Sequence, residues 1–412
     1  MAITIALNDA YDGLEAAAQD LYRAFGVLPN IVLDADMAAA VGALSPSEAG
    51  WLLEILADER LLDPTPPRPA PEPRYLMNEA VRPHARSHAA AAGAHSGEAL
   101  NRLFVWMLGF ATAAQRLLTP AQATLRKSAP VTTGLFQDKD GAQAWLDRQA
   151  GNLLPVLTAA TEAGLPAWEL TDAFWPHFLF RHPYELWGAA HEIGLDSARR
   201  TGNADAVRQM LNSGAIGFGA AGKHGTAAYW YMQSLHAARA ADDVRDEGQA
   251  LLGLGVCHLN SDRLPEAEEM LMEATARWSE CGYRRGVGLA QIALAEVLFP
   301  TDPRAALERL ATARTLLTAL GEHYEAARAL ALHGRFLDKT GRSADAIDEL
   351  MTALPSVRER DWWQACVKEW LGDAHNRLGN RGDGHTYWLG AAVLYDSINP
   401  HRAAELRARV VQ

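Results

Sequence analysis

The nonapeptide GFGAAGKHG at 217–225 carries two spacings that can hold a phosphate. Gly217-x-Gly219-x-x-Gly222 fits the dinucleotide fingerprint, and Gly217-x4-Gly222-Lys223 fits the P-loop up to its last letter. Both motifs turn backbone N–H groups and a helix N-terminus toward phosphate oxygens, and both need a β-strand to lead into the loop. The preceding segment, DAVRQMLNSGAIGF, instead places Val207, Met210, Leu211, Ala215 and Phe218 at helical spacing. His224 stands where a P-loop has the Ser or Thr that binds magnesium. The stretch reads as a helix end and an inter-helix turn, and no nucleotide cofactor is expected.

Other chemistry-bearing residues are sparse. His182, Glu185, His191 and Glu192, with Asp196, form the densest group of histidines and carboxylates. HPYELWGAAHE lacks the His-Glu-x-x-His spacing that puts two imidazoles on one metal, so the group reads as a helix end with surface charges and at most a weak metal site. No Gly-x-Ser-x-Gly elbow occurs. Cys257, Cys281 and Cys366 are too scattered for a disulfide frame or a Cys-x-x-Cys site, and read as small core residues of helices. No catalytic, metal-binding or cofactor-binding residue is assigned, and the chain is expected not to be an enzyme.

An internal period explains the glycines. LGVCHLNSDRLPEA at 254–267 sets a frame of Gly, a mid-sized residue three on, a turn seven on, an acid eleven on, then Ala. HGRFLDKTGRSADA at 333–346 and LGDAHNRLGNRGDG at 371–384 repeat it, and LAEVLFPTDPRAAL at 294–307 is a worn copy with Ala295 for the first glycine and Asp302 at the turn. The anchors Gly255, Ala295, Gly334 and Gly372 lie 295 − 255 = 40, 39 and 38 residues apart. Running the frame back 41 residues lands on Gly214. A period of about 40 with two amphipathic segments is a helical hairpin whose small anchor lets the second helix approach closely. Each repeat leaves an apolar face for its neighbour to cover, so about five of them are expected to stack into a right-handed solenoid with a concave face.

In that frame, first-helix positions six and three before the anchor, and one, four and five after it, point into the groove. They give Gln249, Leu252, Val256, Leu259 and Asn260, then Arg328, Arg335, Asp338 and Lys339, then Glu369, Asp373, Asn376 and Arg377. Paired donors and acceptors of this kind suit a protein or peptide clamped by its side chains. A solvated helix face is the other reading of the same pattern.

The N-terminal half has its own signals. Ser45 is an N-cap, Pro46 takes the first helical position, Glu48 fits a capping box, and WLLEILADERLL supplies an apolar face. PTPPRPAPEP at 64–73 holds six of the 20 prolines and is neither regular helix nor central strand. Helices followed by two short extended segments around such a loop are the order of a winged helix-turn-helix. Three parts are expected: a winged-helix-like domain over 1–92, a helical connector over 93–200 and the repeats over 201–412, making an all-α chain.

Charge bounds the partners. The net charge of −12 over 412 residues opposes binding to a polyanion. Residues 1–92 hold six Arg, no Lys and 13 acids, 6 − 13 = −7, and ADERLL offers only Arg60, so direct nucleic-acid binding is disfavoured. The longest apolar runs, such as LFVWMLGFA, stop short of a bilayer span, no leader opens the chain, and no membrane association and a cytoplasmic location are expected. The 12 tryptophans, Trp362, Trp363 and Trp370 among them, read as core and inter-repeat packing rather than a base-stacking platform.

ALNDAYDGLEAAAQDLYRAFGVLP, SPSEAGWLLEILADERLLD and RYLMNEAVRPHARSHA resemble the part that follows the nucleotide-binding domain in bacterial STAND-class regulatory NTPases, of the Streptomyces-antibiotic-regulatory-protein type. The resemblance continues through GAQAWLDRQAGNLLPVLTAA and LTDAFWPHFLFRHPYELW into the repeats, which themselves resemble the tetratricopeptide repeat. It implies a winged helix, a helical bridge and a repeat sensor. Two departures stand out. The chain begins where that family's nucleotide-binding module would end, and the family's Met-His-Asp motif, whose His touches nucleotide, is Met77-Asn78-Glu79 here. The resemblance therefore implies a scaffold without its ATPase: a regulator or adaptor that binds a protein or peptide and acts in transcription or signalling. A small-molecule effector held near Trp175, Trp187, Phe218 and Trp230 is the alternative, and a DNA-binding factor the least favoured.

Overall fold

Apolar residues at three- and four-residue spacings become helix almost throughout. The computed structural model describes residues 2–65, 73–93, 96–120, 125, 134–358 and 361–411, and divides into two compact units, Met1–Met210 and Leu211–Gln412. Most of the proline-rich loop, at 66–72, lies outside the described residues.

The first unit opens with α1 (Ala2–Asp12), α2 (Ala16–Val27), β1 (Val32–Leu33), α3 (Ala35–Gly42), α4 (Pro46–Asp58), β2 (Asp63–Pro64), β3 (Tyr75–Leu76) and α5 (Arg82–Ala91). The three strands form an antiparallel sheet in the order β1-β3-β2, with Val32 opposite Leu76 and Asp63 opposite the same residue. Pro64 sits on an edge strand, where its missing N–H costs no ladder bond. At the start of α4 the Ser45 hydroxyl accepts the Glu48 N–H and Pro46 fills the first turn, as the capping signals require.

The long helices α6 (Ser96–Leu118), α7 (Lys139–Glu162), α8 (Ala167–Ala173), α9 (Trp175–Arg181) and α10 (Tyr184–Arg200) belong to the same unit. Their core holds Trp145, Trp168, Phe174, Phe178 and Trp187. Asn152 of α7 ties them to the sheet. Its side chain accepts the Val32 N–H at 2.8 Å and donates to the Val32 carbonyl at 2.9 Å, standing in for a neighbouring strand along the β1 edge. Gln149, one turn away, donates to the buried carboxylate of Asp34. Both stretches, 1–92 and 93–200, fall within the first compact unit.

α11 (Ala204–Ala220) crosses from the first unit into the second. The second unit continues through α12 (His224–Ala240), α13 (Val244–Leu259), α14 (Leu264–Glu280), α15 (Arg284–Leu298), α16 (Pro303–Ala319), α17 (His323–Lys339), α18 (Ser343–Ala353), α19 (Asp361–Arg377), α20 (Arg381–Tyr395) and α21 (Pro400–Val411). Consecutive helices pack on one another, and first helices α13 and α15, and α17 and α19, touch directly, as in a tetratricopeptide-like solenoid. The glycine anchors do what the frame requires. A methyl built on Gly255 would stand 2.6 Å from Leu271, one on Gly334 3.0 Å from Leu350, and one on Gly372 2.3 Å from Trp388. Each partner lies 16 residues beyond its anchor, for example 271 − 255 = 16, on the second helix of the same hairpin.

Seven residues past the anchor the chain must reverse. Gly341 (φ 88°) and Gly379 (φ 82°) take the left-handed conformation that glycine enters at no steric cost, and Asp262 takes it at φ 57°. In the worn copy Asp302 is instead the N-cap of α16: it accepts the Ala305 N–H at 3.0 Å, with Pro303 in the first turn. GFGAAGKHG is the end of α11, a turn through Gly222 at φ 75°, and the start of α12. Lys223 N–H closes the turn on the Phe218 carbonyl at 2.9 Å, so this backbone caps a helix C-terminus.

One expectation needs correction. Cys257 is buried, but Cys281 is exposed at the C-cap of α14, where its thiol donates to the Trp278 carbonyl, and Cys366 is only half-buried against Tyr395. Tryptophans behave mostly as packing groups: Trp145, Trp168, Trp187, Trp230, Trp278 and Trp388 are buried, while Trp51 and Trp362 are exposed.

Candidate recognition face on the first helices

Among the positions projected onto the groove, the structure connects those of α17 and α19 except Asn376. Arg377 pairs with the buried carboxylate of Asp338 across the repeat boundary and donates to the Asp338 carbonyl at 3.1 Å, while Ser343 donates to the other Asp338 oxygen at 2.7 Å. Asp373 accepts from Trp388 Nε1 at 3.0 Å and from Arg409 of α21 at 3.3 Å. Arg402, also on α21, pairs with the buried Glu369, its Nε donating at 3.2 Å. Here α21 supplies the cations that a further first helix would supply.

Cations also lie over rings. Arg328 stands 4.8 Å above the Trp363 ring and pairs with Glu325 at 2.6 Å; Arg335 stands 4.9 Å above Trp370; Lys339 is 5.8 Å from the ring of Phe299, the C-cap of α15. Phe299 in turn stacks on Phe336 at 3.9 Å, and Trp363 meets Trp370 edge-on at 6.0 Å. Planar guanidinium groups on aromatic faces gain electrostatically and lose little further freedom when a ligand engages their edges.

Two carboxyls on this face titrate above their ordinary range. Burial raises Glu296 of α15, opposed by Arg328 and Arg335. Burial raises Asp373 as well, with Glu369 adding to the shift while Trp388 and Arg409 oppose it.

The remaining projected residues divide. On α13, Val256 and Asn260 are exposed, and Gln249 and Leu252 half-buried. Leu252 and Leu259 pack into the cores that α13 shares with its neighbours. Asn376 turns away from the face: its amide donates to the Gly372 carbonyl and lies where a side chain on Gly384 of α20 would go. Sequence reasoning missed Glu296 and Phe299, although the offsets applied to the other anchors, taken one and four residues past Ala295, land on them. It also missed Arg402 and Arg409, which lie on a helix without an anchor, and the rings of Trp363 and Trp370.

Elsewhere the earlier candidates scatter. His182 is the left-handed C-cap of α9, Glu185 lies in the first turn of α10, and His191 is fully buried with Nδ1 donating to the Trp187 carbonyl at 2.8 Å. Among the described residues no three His, Cys, Asp or Glu side chains are grouped to hold a metal. Within the first unit Trp187 stacks on Phe178 and meets Trp175 edge-on; within the second, Phe218 meets Trp230 edge-on at 5.0 Å. The outward side of α4 shows Glu48, Trp51, Glu54 and Asp58, with no base on the helix. No helix among the described residues is long and apolar enough to cross a membrane.

The architecture defines a helical-repeat protein of the tetratricopeptide kind. No family model matches the chain. Over 375 residues it is 26% identical to the regulatory protein AfsR of Streptomyces griseus, an alignment covering 89% of this chain and 37% of that protein, so the chain spans little more than a third of the relative's length. Two solved structures are also similar. A Rap protein complexed with competence and sporulation factor shares 11% identity, covering 99% of this chain and 96% of its own at a TM-score of 0.48. A STAND protein with a tetratricopeptide repeat sensor from Pyrococcus horikoshii shares 15%, covering 94% and 65% at a TM-score of 0.37.

Proposed function

We propose that this chain is a non-enzymatic regulatory or adaptor protein that holds a protein or peptide segment along the first-helix face of its repeats. One observation carries the reading: on α15, α17, α19 and α21 charged side chains pair across neighbouring first helices and rest on the rings of Phe299, Trp363 and Trp370, which also pack against the hairpin cores. The AfsR match is consistent with a regulatory role. Pre-ordered Arg and Trp side chains are the groups that dominate protein interfaces, because they bury area at small entropic cost.

In the same reading, α2 to α5 with the β1-β3-β2 sheet are a winged helix retained as scaffold. The helix–strand–helix–helix–strand–strand order supports it. The acidic outward side of α4 argues against a nucleic-acid groove as its target. The test is selection from a displayed random-peptide pool against the full chain, followed by titration of enriched peptides. Val256→Arg on α13 should weaken them about tenfold or more, and Thr312→Arg on the exposed side of α16 should leave them unchanged. Equal effects, or no saturable peptide, would refute the assignment.

A further inference from the structure

Most cations of the recognition face have a carboxylate: Arg328 has Glu325, shared with Arg285; Arg377 has Asp338; Arg402 has Glu369 and Glu405; Arg409 has Asp373. Two cations are left over. Arg335 and Lys339, one turn apart on the same side of α17, have no carboxylate within ion-pairing distance among the described residues; each rests on a ring, Trp370 and Phe299. Glu296 is coupled electrostatically to Arg328 and Arg335 together.

We propose that the Arg335–Lys339 step is the anchoring point of this face and takes a carboxylate, so that the segment bound there is acidic. The proposal rests on the reading of the first-helix face given above and specifies its partner. Three features support it. The Trp370 ring beneath Arg335 holds one guanidinium face and leaves the N–H edge for a bidentate carboxylate. The ammonium of Lys339 is held below its ordinary range, first by burial and then by Arg335 and Arg377, with Asp373 and Asp338 opposing. An anion between Arg335 and Lys339 relieves that repulsion. Both anchors are already ordered by their rings, so a ligand need not immobilise them.

The experiment is a fluorescence-anisotropy titration of the full chain with labelled oligoglutamate and oligolysine of equal length. Variants are Arg335→Gln with Lys339→Gln, Lys339→Gln alone, and Arg304→Gln, a cation on α16 that is 90% exposed. Oligoglutamate should saturate and oligolysine should not. The double variant should weaken oligoglutamate about tenfold or more, and Arg304→Gln less than about twofold. The exposed Lys339→Gln, with an expected loss of about threefold or more, keeps the test open if the double variant misfolds. Absent oligoglutamate binding, stronger oligolysine binding, or indifference to both variants overturns the proposal. Selected peptides separate it from the broader reading: neutral or basic peptides lost with Val256→Arg leave the face in place and overturn the acidic anchor.

Discussion

Gly372 of α19 lies directly under the indole of Trp388 on α20, where a methyl would stand 2.3 Å from Cδ1. At Gly334 the corresponding methyl would meet Leu350 Cγ at 3.0 Å and the Ala346 carbonyl at 3.2 Å, milder contacts that a shift of a few tenths of an ångström opens. Gly→Ala in a helix interior gains up to about 1 kcal/mol from backbone propensity, while overpacking a rigid neighbour costs about 1–3 kcal/mol. Gly372→Ala should therefore destabilise by about 1–2 kcal/mol in urea unfolding, and Gly334→Ala should stay within about 1 kcal/mol of the parent. Equal losses would mean the anchors do not set the hairpin spacing as described.

The Asp338–Arg377 pair should couple neighbouring repeats. Asp338 is 5% exposed and Arg377 about half exposed, so solvent screens the pair only on one side. A double-mutant cycle with Asp338→Asn and Arg377→Gln should give a coupling of about 1–2 kcal/mol. Arg304 and Glu308 on the open side of α16 should give less than about 0.5 kcal/mol. A coupling at Asp338–Arg377 no larger than that at the surface pair would contradict a structural link between α17 and α19.

His191 should make the first unit acid-sensitive. Burial pushes its imidazole down to about 4 from the usual 6.5, against the upward effect of its bond to the Trp187 carbonyl. The unfolded chain takes up a proton below pH 6.5 that the folded one refuses until pH 4. The neutral form's contribution is thus full above about 6.5 and is lost as pH falls toward 4, amounting to about 2 kcal/mol by pH 5. Unfolding midpoints at pH 7 and pH 5 should differ more for the parent than for His191→Leu. Parallel losses would place the acid sensitivity elsewhere.

Local signals carried much of this architecture. The Ser45 cap, the small anchors and the turn seven residues past each anchor are short-range features, because a helix end or a close approach is decided by one or two residues. The Asp302 N-cap is the same requirement met by different chemistry. What lay between repeats was less legible. A period gives register along each helix but not which side chain of the next repeat will face it, so Arg402 with Glu369 and Lys339 with Phe299 had no local signature. Cys281 shows the converse: its helical neighbourhood looked like core, but the helix ends beneath it.

Hydrogen exchange on the full chain tests the central claim most directly, with and without the tightest peptide from a random pool. Slowed exchange should concentrate in α13, α15, α17 and α19, strongest around Arg335, and leave α14, α16 and α18 unchanged. Protection running along α14, α16 and α18 instead would contradict a recognition face on the first helices.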